Sequence, residues 1–467
     1  MSGAGAAGGA RAAGGYRGLS YWHDSVASAG DPLERRPGLD GDTDADIAIV
    51  GGGLTGLWTA WYLHEREPDA RILVLEREIA GFGASGRNGG WCSALFPRST
   101  ASLAAGHGRD AALAMRRAMI DTVGEVGRAS AEAGIDCDYV RGGTVVYARS
   151  AAQERAARGE VADAAAYGVD PLEWWDAGRV RAADARGAVY DPNCARLHPA
   201  KLVRGLARAL EARGVRIAEG TTVTRVAPGR VWTDRGVVSC DRAVIALEGY
   251  GAGLPQTHRR ILPLFSLMIA TEPLPAAFWE EVDIPHGRTF SDYRHLIVYG
   301  QRTADDRLAF GGRGARYHWG SAIRPDYDRV ERVFAHLRRT LGELFPSLGD
   351  AAVTHRWGGP LGVPRDWHAA VRYDPATRIG WAGGYVGDGL STTNLAGRTL
   401  AELLTDADTE LTRLPWVGHR SPDWEPEPLR FLGANAGLVA MTAADAEERV
   451  TGRASLVARA MGPLIGH

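Results

Sequence analysis

The stretch that most constrains this chain is Asp46–Gly90, where a short apolar run leads directly into closely spaced glycines. The run, residues 47–50, lacks turn-forming residues and is typical of a buried strand in a parallel sheet. Three glycines follow it, Gly51, Gly53 and Gly56. The first permits a sharp turn, the second lets a pyrophosphate approach the main chain, and the third lets the next helix pack against the strand. The pattern predicts a dinucleotide-binding turn.

The residues after the glycines support the same interpretation. Leu54 and Thr55 begin a predicted helix, whose N-terminal N–H groups and positive dipole end stabilise bound phosphates. A second predicted strand ends just before Glu76 and Arg77. A carboxylate at this point accepts hydrogen bonds from both hydroxyls of an adenosine ribose and repels a 2′-phosphate. Since the acid lies roughly 20 residues beyond the turn, a dinucleotide site is favoured over a purely structural turn.

Length and charge narrow the class of function. A chain of 467 residues exceeds what one core usually organises, so we expect two domains that share a cofactor. The formal net charge of -2 provides no electrostatic footprint for nucleic acid or for an anionic membrane surface. We also predict no membrane span and no signal peptide, because no apolar run is long enough. Small-molecule chemistry is therefore expected.

The four cysteines, Cys92, Cys137, Cys194 and Cys240, are widely separated and form no CxxC pair. This spacing predicts neither a metal site nor a disulfide framework, and free thiols fit a reducing cytoplasm. We therefore predict a cytoplasmic protein without a metal.

Other segments yield further expectations. Residues 1–15 are almost entirely Gly and Ala and are predicted to be disordered. The aromatic pair Tyr21–Trp22 is expected to dock on the folded body. A helical segment is predicted over Glu173–Ala185, and two short helices are predicted from Leu429 to the C-terminus. The turn Glu248–Gly253 lacks a third glycine in register, so we expect a backbone contact to the same dinucleotide and no second nucleotide site.

A longer motif, Gly81–Gly90, follows Glu76–Arg77 and resembles the FAD-dependent oxidoreductases of the D-amino-acid oxidase (DAO) superfamily. Its Ser-Gly-Arg-Asn-Gly-Gly run is similar to the branch that contains gamma-glutamylputrescine oxidoreductase. The resemblance extends to Leu197–Pro199, to Gly311–Gly314 and to Gly384–Gly397. It implies that the dinucleotide is FAD rather than NAD.

The resemblance implies an α/β plus α+β fold, with a Rossmann-type FAD-binding domain of discontinuous segments and a mixed-sheet substrate domain. The expected FAD-binding domain comprises residues 16–106, 187–260 and 350–414. The substrate domain comprises 107–186 and 261–349, and residues 415–467 form a C-terminal connector and helices.

The resemblance also assigns expected cofactor contacts. The pyrophosphate would meet Gly51, Gly53, Leu54, Thr55 and Gly56, and the ribose would meet Glu76, with Arg77 beside it. The ribityl chain and flavin edge would meet Gly83, Ala84, Ser85, Arg87, Asn88, Gly89 and Gly90. Val223 would contact the adenine through its backbone. Glu248, in the second glycine-rich turn, is expected to contribute a backbone contact to the same dinucleotide. The turn and helix start formed by Gly387, Asp388, Gly389, Leu390, Ser391 and Thr392 would face the flavin pyrimidine.

Helix N–H groups aimed at the pyrimidine favour reduction, because a reduced flavin carries negative charge there. Asp388 would oppose that charge if it pointed inward, so we expect it to face the ribityl hydroxyls or solvent. Non-covalent FAD is expected, since no cysteine follows Cys240 and Trp91–Cys92 replace the histidine that tethers flavin in other relatives.

The expected reaction is oxidation of a C–N bond in a small amine or amino-acid-like substrate. Hydride passes to flavin N5, and water hydrolyses the resulting imine. O2 or another molecule accepts the electrons, and no oligomeric state is indicated. Arg313, flanked by glycines, is the first candidate to bind an acidic group of the substrate. Tyr293 and His295 are further candidate site residues, and Tyr317 and His318 are possible neighbours.

Two other classes stay open. A pyridine-nucleotide-dependent flavin reductase or monooxygenase would need a second complete nucleotide motif, which Glu248–Gly253 does not supply. A non-catalytic flavoprotein binding subunit is the other alternative. Lys201, the one lysine of the chain, is expected to lie away from the flavin ring.

Overall fold

The structure is a computed structural model that describes residues 15–169 and 171–465. The predicted disordered tail, residues 1–15, lies outside the described residues except for Gly15.

The helices and strands are as follows. The helices are α1 Tyr21–Ser28, α2 Leu54–Arg66, α3 Thr100–His107, α4 Arg109–Glu132, α5 Ala151–Tyr167, α6 Pro199–Ala212, α7 Ala276–Val282, α8 Glu331–Leu344, α9 Gly389–Leu404, α10 Leu429–Thr451 and α11 Leu456–Ile465. The strands are β1 Thr43–Val50, β2 Ile72–Leu75, β3 Trp91–Ser93, β4 Thr144–Ala148, β5 Glu173–Asp176, β6 Gly187–Asp191, β7 Cys194–Arg196, β8 Arg216–Ala218, β9 Val223–Ala227, β10 Arg230–Thr233, β11 Val237–Ile245, β12 Leu262–Thr271, β13 Thr289–Asp292, β14 Val298–Arg302, β15 Leu308–Arg313, β16 Val353–Val363, β17 Ala370–Asp374 and β18 Ile379–Gly383.

The first sheet has the strand order β17-β18-β11-β1-β2-β8, with β10 and β9 added beside β11. β1 lies parallel to both β2 and β11, as the apolar run at residues 47–50 predicts. Ile47 and Ile49 are fully buried on the face covered by α2 and α9, while Ala48 and Val50 belong to the core on the other face. The alternation explains why this strand has no polar side, because helices or further strands cover both faces.

The second sheet is mixed and has the order β16-β12-β15-β14-β13-β4-β6-β5. The pair β13–β4 is parallel, and the other pairs are antiparallel. Its core contains Phe265, Phe290 and Phe310, which pack with Leu337 of α8. Because β6 and β16 pair within this sheet, we propose that the substrate domain also includes residues 187–191 and 353–363, which the expected boundaries place in the FAD-binding domain.

One local prediction is wrong, and a second is wrong in part. Glu173–Ala185 is not a helix: it begins with β5, whose Trp174 and Trp175 pair with Val189 and Ala188 of β6. Adjacent tryptophans favour a strand, where large aromatic rings pack across neighbouring strands. The C-terminal segment forms the two predicted helices, but only α11 is short, since α10 has 23 residues.

The docking of Tyr21–Trp22 is confirmed. Trp22 is only 1% exposed, and its indole Nε1 donates to the carbonyl of Asn88 at 2.8 Å. The aromatic pair packs with Trp357 of β16 in one buried cluster. The N-terminal helix α1 therefore packs against the Gly81–Gly90 loop and holds it through the bond from Trp22 to Asn88.

Candidate active site

The glycine turn after β1 has the conformation that its sequence predicts. Gly51 has φ +114°, and a Cβ there would lie 2.4 Å from the carbonyl oxygen of Ala246. A Cβ on Gly56 would lie 2.1 Å from the carbonyl oxygen of Gly51. Side chains at either position would collide with main-chain atoms, so α2 can begin this close to β1 only because glycine occupies both. This cradle fits a dinucleotide pyrophosphate.

Glu76 follows β2 and reaches back to the turn. Its Oε2 accepts a hydrogen bond from the Gly52 N–H, and its Oε1 accepts one from the Glu78 N–H, both at 2.8 Å. Burial raises the pKa of this carboxyl, against the lowering effect of the two N–H groups. Each oxygen keeps a lone pair for a further donor, which is the arrangement that a ribose diol requires.

The loop after Glu76 closes over the N-terminus of α2. Ser85 Oγ accepts a hydrogen bond from the Leu54 N–H at 2.8 Å, and a Cβ on Gly53 would come within 2.9 Å of the same oxygen. Asn88 Nδ2 donates to the carbonyl oxygens of Ala84 and Ser85, both at 3.1 Å. These bonds give the loop a fixed shape beside the glycine turn.

The same loop is tied to the second sheet. The Arg87 side chain is 3% exposed and donates to Asp328, to the Gly358 carbonyl and to the Tyr250 hydroxyl. Arg87 therefore acts as a link between the two sheets, and its guanidinium is engaged by protein groups.

Two glycines bring the end of this loop against β14. A Cβ on Gly89 would lie 2.5 Å from the Tyr299 ring, and one on Gly90 would lie 2.1 Å from Gln301 Nε2. The Gln301 amide also donates to the Gly89 carbonyl at 2.5 Å. The absence of side chains here lets the loop lie flat between its neighbours.

The start of α9 meets the start of α2. Tyr385, just before the Gly387 turn, shares a hydrogen bond of 3.1 Å with Thr55. Gly387 has φ +116°, and α9 begins at Gly389 with Asp388 at the N-cap, although the Asp388 side chain makes no cap bond. The two helix N-termini that the sequence analysis assigns to pyrophosphate and pyrimidine are thus directly joined.

The first turn of α9 is held by its own side chains. Leu390, Ser391 and Thr392 are buried. Ser391 Oγ donates to the Ser93 carbonyl and Thr392 Oγ1 donates to the Asp388 carbonyl, both at 2.5 Å. These hydroxyls fix the helix start, and its main-chain N–H groups remain the predicted flavin contact.

Glu248 holds the loop that precedes α9 through its side chain. Its carboxylate accepts hydrogen bonds from the N–H groups of Gly384, at 3.1 Å, and Tyr385, at 3.2 Å. Burial raises its pKa to about 7, while these N–H groups lower it. Glu248 therefore positions the loop through its side chain, whereas the sequence analysis expects a backbone contact from this turn.

Arg313, at the end of β15, lies beside the same turn. Its Nη2 donates to the Val386 carbonyl at 2.7 Å, and its guanidinium carbon lies 5.2 Å from the centre of the Trp367 ring. Burial lowers the pKa of Arg313, and the charge of Asp388 opposes this shift. Burial also raises the pKa of Asp388 to about 6, against the effect of Arg313. The Asp388 side chain is partly buried, and its charge interacts with that of Arg313. The sequence analysis does not anticipate this interaction, since it expects Asp388 to face the ribityl hydroxyls or solvent.

The other candidate substrate residues have partners elsewhere. The Tyr293 hydroxyl donates to Glu160 of α5 at 2.5 Å. His295 hydrogen-bonds through Nε2 to Glu448 of α10 at 3.0 Å. Tyr317 donates to Glu427 at 2.7 Å, and the His318 ring stacks on Tyr327. The structure does not bring these four side chains to Arg313 by any hydrogen bond, so their role in substrate binding stays a prediction.

Three further expected residues lie at the edges of the site. Cys92 is fully buried in β3, and burial raises its thiol pKa well above the usual range, which suits an inert thiol. Val223 begins β9 in the antiparallel extension of the first sheet. The Arg77 side chain is 51% exposed and its guanidinium lies over the Tyr250 ring.

The sequence analysis misses Tyr299, Ser266 and Trp367. Tyr299 of β14 and Ser266 of β12 share a hydrogen bond of 2.8 Å across the intervening strand β15, and both Arg313 and Asp388 act on the Tyr299 hydroxyl electrostatically. The alternation along residues 298–302 is the signal that could find Tyr299, because it lies two residues before the buried Gln301 on the same face.

With this geometry in place, the chain can be compared with known proteins. Residues 46–403 match the family described as DAO, FAD dependent oxidoreductase. The chain belongs to the DAO family. This membership confirms the predicted family, the FAD cofactor and the oxidoreductase activity.

Individual members of the DAO family cover most of the chain. It is 33% identical to the gamma-glutamylputrescine oxidoreductase of Escherichia coli, over 82% of this chain and 90% of the relative. It is 32% identical to the probable oxidoreductase OrdL of Rhizobium meliloti, over 81% of this chain and 87% of the relative. A solved glycine oxidase from Geobacillus kaustophilus superimposes with a TM-score of 0.67 at 20% identity, covering 80% of this chain and 99% of that one. The last similarity confirms the fold class.

The described residues contain neither a membrane-spanning helix nor a metal-ligating cluster. No helix within residues 15–169 and 171–465 has the length and apolar character needed to cross a membrane. The same residues contain no group of three or more His, Cys, Asp or Glu side chains arranged to hold a metal ion.

Proposed function

We propose that this DAO-family enzyme oxidises the C–N bond of a small amine that also carries an acidic group. The observation that carries this proposal is the position of Arg313 beside the Gly387–Asp388 turn, at the helix start assigned to the flavin pyrimidine. FAD, when bound, supplies a hydride acceptor for the carbon next to the nitrogen.

The charges around the turn suit an amino-acid-like substrate. Arg313 uses Nη2 for Val386, and no further hydrogen bond from its guanidinium is formed within the described part of the chain. Its remaining N–H groups can pair with a substrate carboxylate. Asp388 provides the opposite charge, which attracts the ammonium group, and its raised pKa of about 6 makes it a better proton acceptor than an ordinary carboxylate. An amino acid carries the complementary pair of charges.

The chain's other groups prepare the site. The N–H groups at the start of α9 are directed by the buried Ser391 and Thr392 hydroxyls. Glu248 holds the preceding loop, and Tyr385 joins it to α2. The Trp367 ring covers one side of Arg313. A pre-organised and partly desolvated site of this kind lowers the barrier without a residue that forms a covalent bond to substrate.

We further propose that the electron acceptor is O2 or a diffusible redox partner, and that the protein works in the cytoplasm. Free, buried thiols at all four cysteines fit a reducing compartment. The names of the relatives, gamma-glutamylputrescine oxidoreductase and glycine oxidase, support a primary or secondary amine as the substrate.

The test compares Arg313→Lys and Arg313→Gln with wild-type enzyme on paired amines that differ only in an acidic group. Losing a charge-assisted pair of roughly 1.5–3 kcal/mol predicts a KM about 10- to 150-fold higher for the acid-bearing amine. The amine without the acid should be oxidised as before. Equal effects on both amines would remove Arg313 from substrate binding, and retained flavin absorbance would show that the variants keep FAD.

A further inference from the structure

The C-terminal hairpin, formed by α10 and α11 over residues 429–465, lies beyond the part of the chain that matches the DAO family. Among the described residues, nine large apolar side chains are exposed, and five of them belong to this hairpin. They are Leu429, Leu432, Val439, Val450 and Leu456, each at least 59% exposed. The exposed apolar surface of the protein is therefore concentrated in one element.

The exposed side chains lie along one face of α10. With 3.6 residues per turn, Leu432, Val439 and Val450 point within about 20° of one another. The stripe that they form is about 27 Å long at 1.5 Å per residue. Residues 431–444 contain no charged side chain, although a helix on a protein surface normally presents charged groups to water. Trp319, which is 58% exposed, lies beside the N-terminal end of α10, with its ring centre 5.8 Å from that of Phe431.

The acidic side chains of the hairpin all have hydrogen-bond partners within the protein. Asp445 accepts hydrogen bonds from the N–H groups of His295 and Leu296, at 2.7 and 3.0 Å. Glu448 accepts a hydrogen bond from the Ser455 N–H at 2.9 Å, and Glu447 accepts one from the Leu456 N–H at 3.2 Å. These contacts hold all three carboxylates against the body or against α11.

Three of the four basic side chains of the hairpin face outward, whereas Arg430 is 3% exposed and pairs with Glu427. Arg449, Arg453 and Arg459 are exposed. The outer surface of the hairpin is thus apolar along its length and positive toward its tip, even though the whole chain has a formal net charge of -2.

We propose that the C-terminal hairpin lies on an anionic phospholipid surface. The apolar stripe would enter the headgroup and acyl boundary, and the three arginines would pair with lipid phosphates. Trp319 is a residue type enriched at this boundary. An attached second copy of the chain is less well matched, because the hairpin carries exposed positive groups while its own acids are already engaged.

This attachment would place the substrate side of the protein next to the lipid. α10 holds the segment around His295 through Asp445 and Glu448, and its Asn435 donates to the Tyr317 carbonyl at 3.1 Å. Phe431 belongs to the same apolar cluster as Trp367 and Val386, the two residues in contact with Arg313. The hairpin is therefore continuous with the wall of the proposed substrate site.

The test is flotation of the purified holoenzyme with vesicles of phosphatidylcholine alone or mixed with phosphatidylglycerol. Three arginines near the surface predict on the order of a hundredfold stronger binding to the mixed vesicles. Leu432→Asn combined with Val439→Asn should abolish flotation, and Arg449→Gln, Arg453→Gln and Arg459→Gln together should remove the preference for phosphatidylglycerol. Val140→Asn, at an apolar residue 38% exposed outside the hairpin, is the matched control and should float as wild type does.

Flavin absorbance and amine oxidation in the absence of vesicles show whether each variant is folded. Absence of wild-type flotation, or unchanged flotation of the Leu432/Val439 double variant, would overturn the proposal. A wild-type dimer that this double variant converts to a monomer would overturn it as well, and would assign the stripe to a second copy of the chain.

Discussion

Glu76 joins the glycine turn to the end of β2 through two main-chain hydrogen bonds. Its position follows from sequence alone, because the turn, the helix and the acid are local and lie at a regular spacing. The same side chain is the expected ribose ligand. Its removal therefore has two consequences, one for the turn and one for the cofactor.

Glu76→Ala should weaken FAD binding by roughly 1.5–3 kcal/mol, since the ribose hydroxyls lose a charged acceptor. Flavin affinity measured by reconstitution of the apoprotein checks this. Glu78→Ala is the control, because Glu78 is an acid two residues away whose Oε2 bonds to the Tyr16 hydroxyl. Equal affinities in the two variants would refute the ribose assignment.

The raised pKa of Glu248 predicts that this residue contributes to stability in a pH-dependent way. Its pKa rises from 4.5 to about 7 on burial, so between these values the folded state holds a proton that the unfolded state releases. The free energy of unfolding should therefore fall as pH rises through this window, by up to about 3 kcal/mol from this group. Denaturant unfolding of wild type and Glu248→Gln from pH 4.5 to 7 checks it. A constant difference between the two proteins would contradict the raised pKa.

Arg313 and Asp388 show where sequence reasoning stops at the residue scale. A glycine-flanked arginine marks Arg313 as unusual, but its contact with Val386 joins residues 73 positions apart. In the sequence, His295 and Tyr293 are equally plausible substrate-binding residues. In the fold, His295 bonds to Glu448 of α10 and Tyr293 bonds to Glu160 of α5. The pairing of strands in the second sheet and the packing of α10 determine which of these side chains lies beside the turn before α9, and neither can be read from the local sequence.

At the scale of elements, α2 and α9 form the centre of the cofactor site. Gly397 permits their contact, because a Cβ there would lie 2.7 Å from the Trp58 carbonyl carbon. Both helices are recognisable from sequence as glycine-led segments after buried strands. Their mutual packing is not, since it depends on β1, β11 and β18 lying side by side.

Gly397→Ala should lower the free energy of unfolding by about 1–3 kcal/mol and weaken FAD binding, because overpacking pushes the start of α9 away from α2. Gly124→Ala in α4 is the matched control. A Cβ at Gly124 meets nothing within 4 Å, so this change should stabilise the protein by roughly 0.5–1 kcal/mol. Thermal unfolding with and without added FAD compares the two. Similar stability in both variants would show that the helices do not meet as described.

At the scale of the whole molecule, a mainly parallel first sheet and a mixed second sheet were predictable, while the strands that close the second sheet were not. β6 and β16 come from segments that look like continuations of the first domain, and β5 has the composition of a buried helix as much as that of a strand. The C-terminal hairpin shows the same limit, because its docking on the segments around His295 and Tyr317 leaves no local pattern in the sequence.

The reaction of the reduced enzyme with oxygen is a property of the assembled site. A positive charge near the flavin stabilises superoxide, and Lys201 is ion-paired with Asp138 at 2.7 Å. We expect reoxidation by air-saturated buffer to be slower than by a phenazine acceptor, and Lys201→Met to change neither rate. Stopped-flow mixing of substrate-reduced enzyme checks this. Fast reaction with oxygen that is lost in Lys201→Met would refute the account of Lys201.

Anaerobic addition of candidate amines to the oxidised enzyme tests the central claim most directly. The panel should contain polyamines, N-methyl amino acids and gamma-glutamyl amines, with NADPH as the alternative reductant. Oxidation of a C–N bond predicts that an acid-bearing amine bleaches the flavin absorbance within a single turnover and yields the corresponding carbonyl compound, while NADPH leaves the absorbance unchanged. Bleaching by NADPH but by none of the amines would contradict the proposed function and identify a reductase instead.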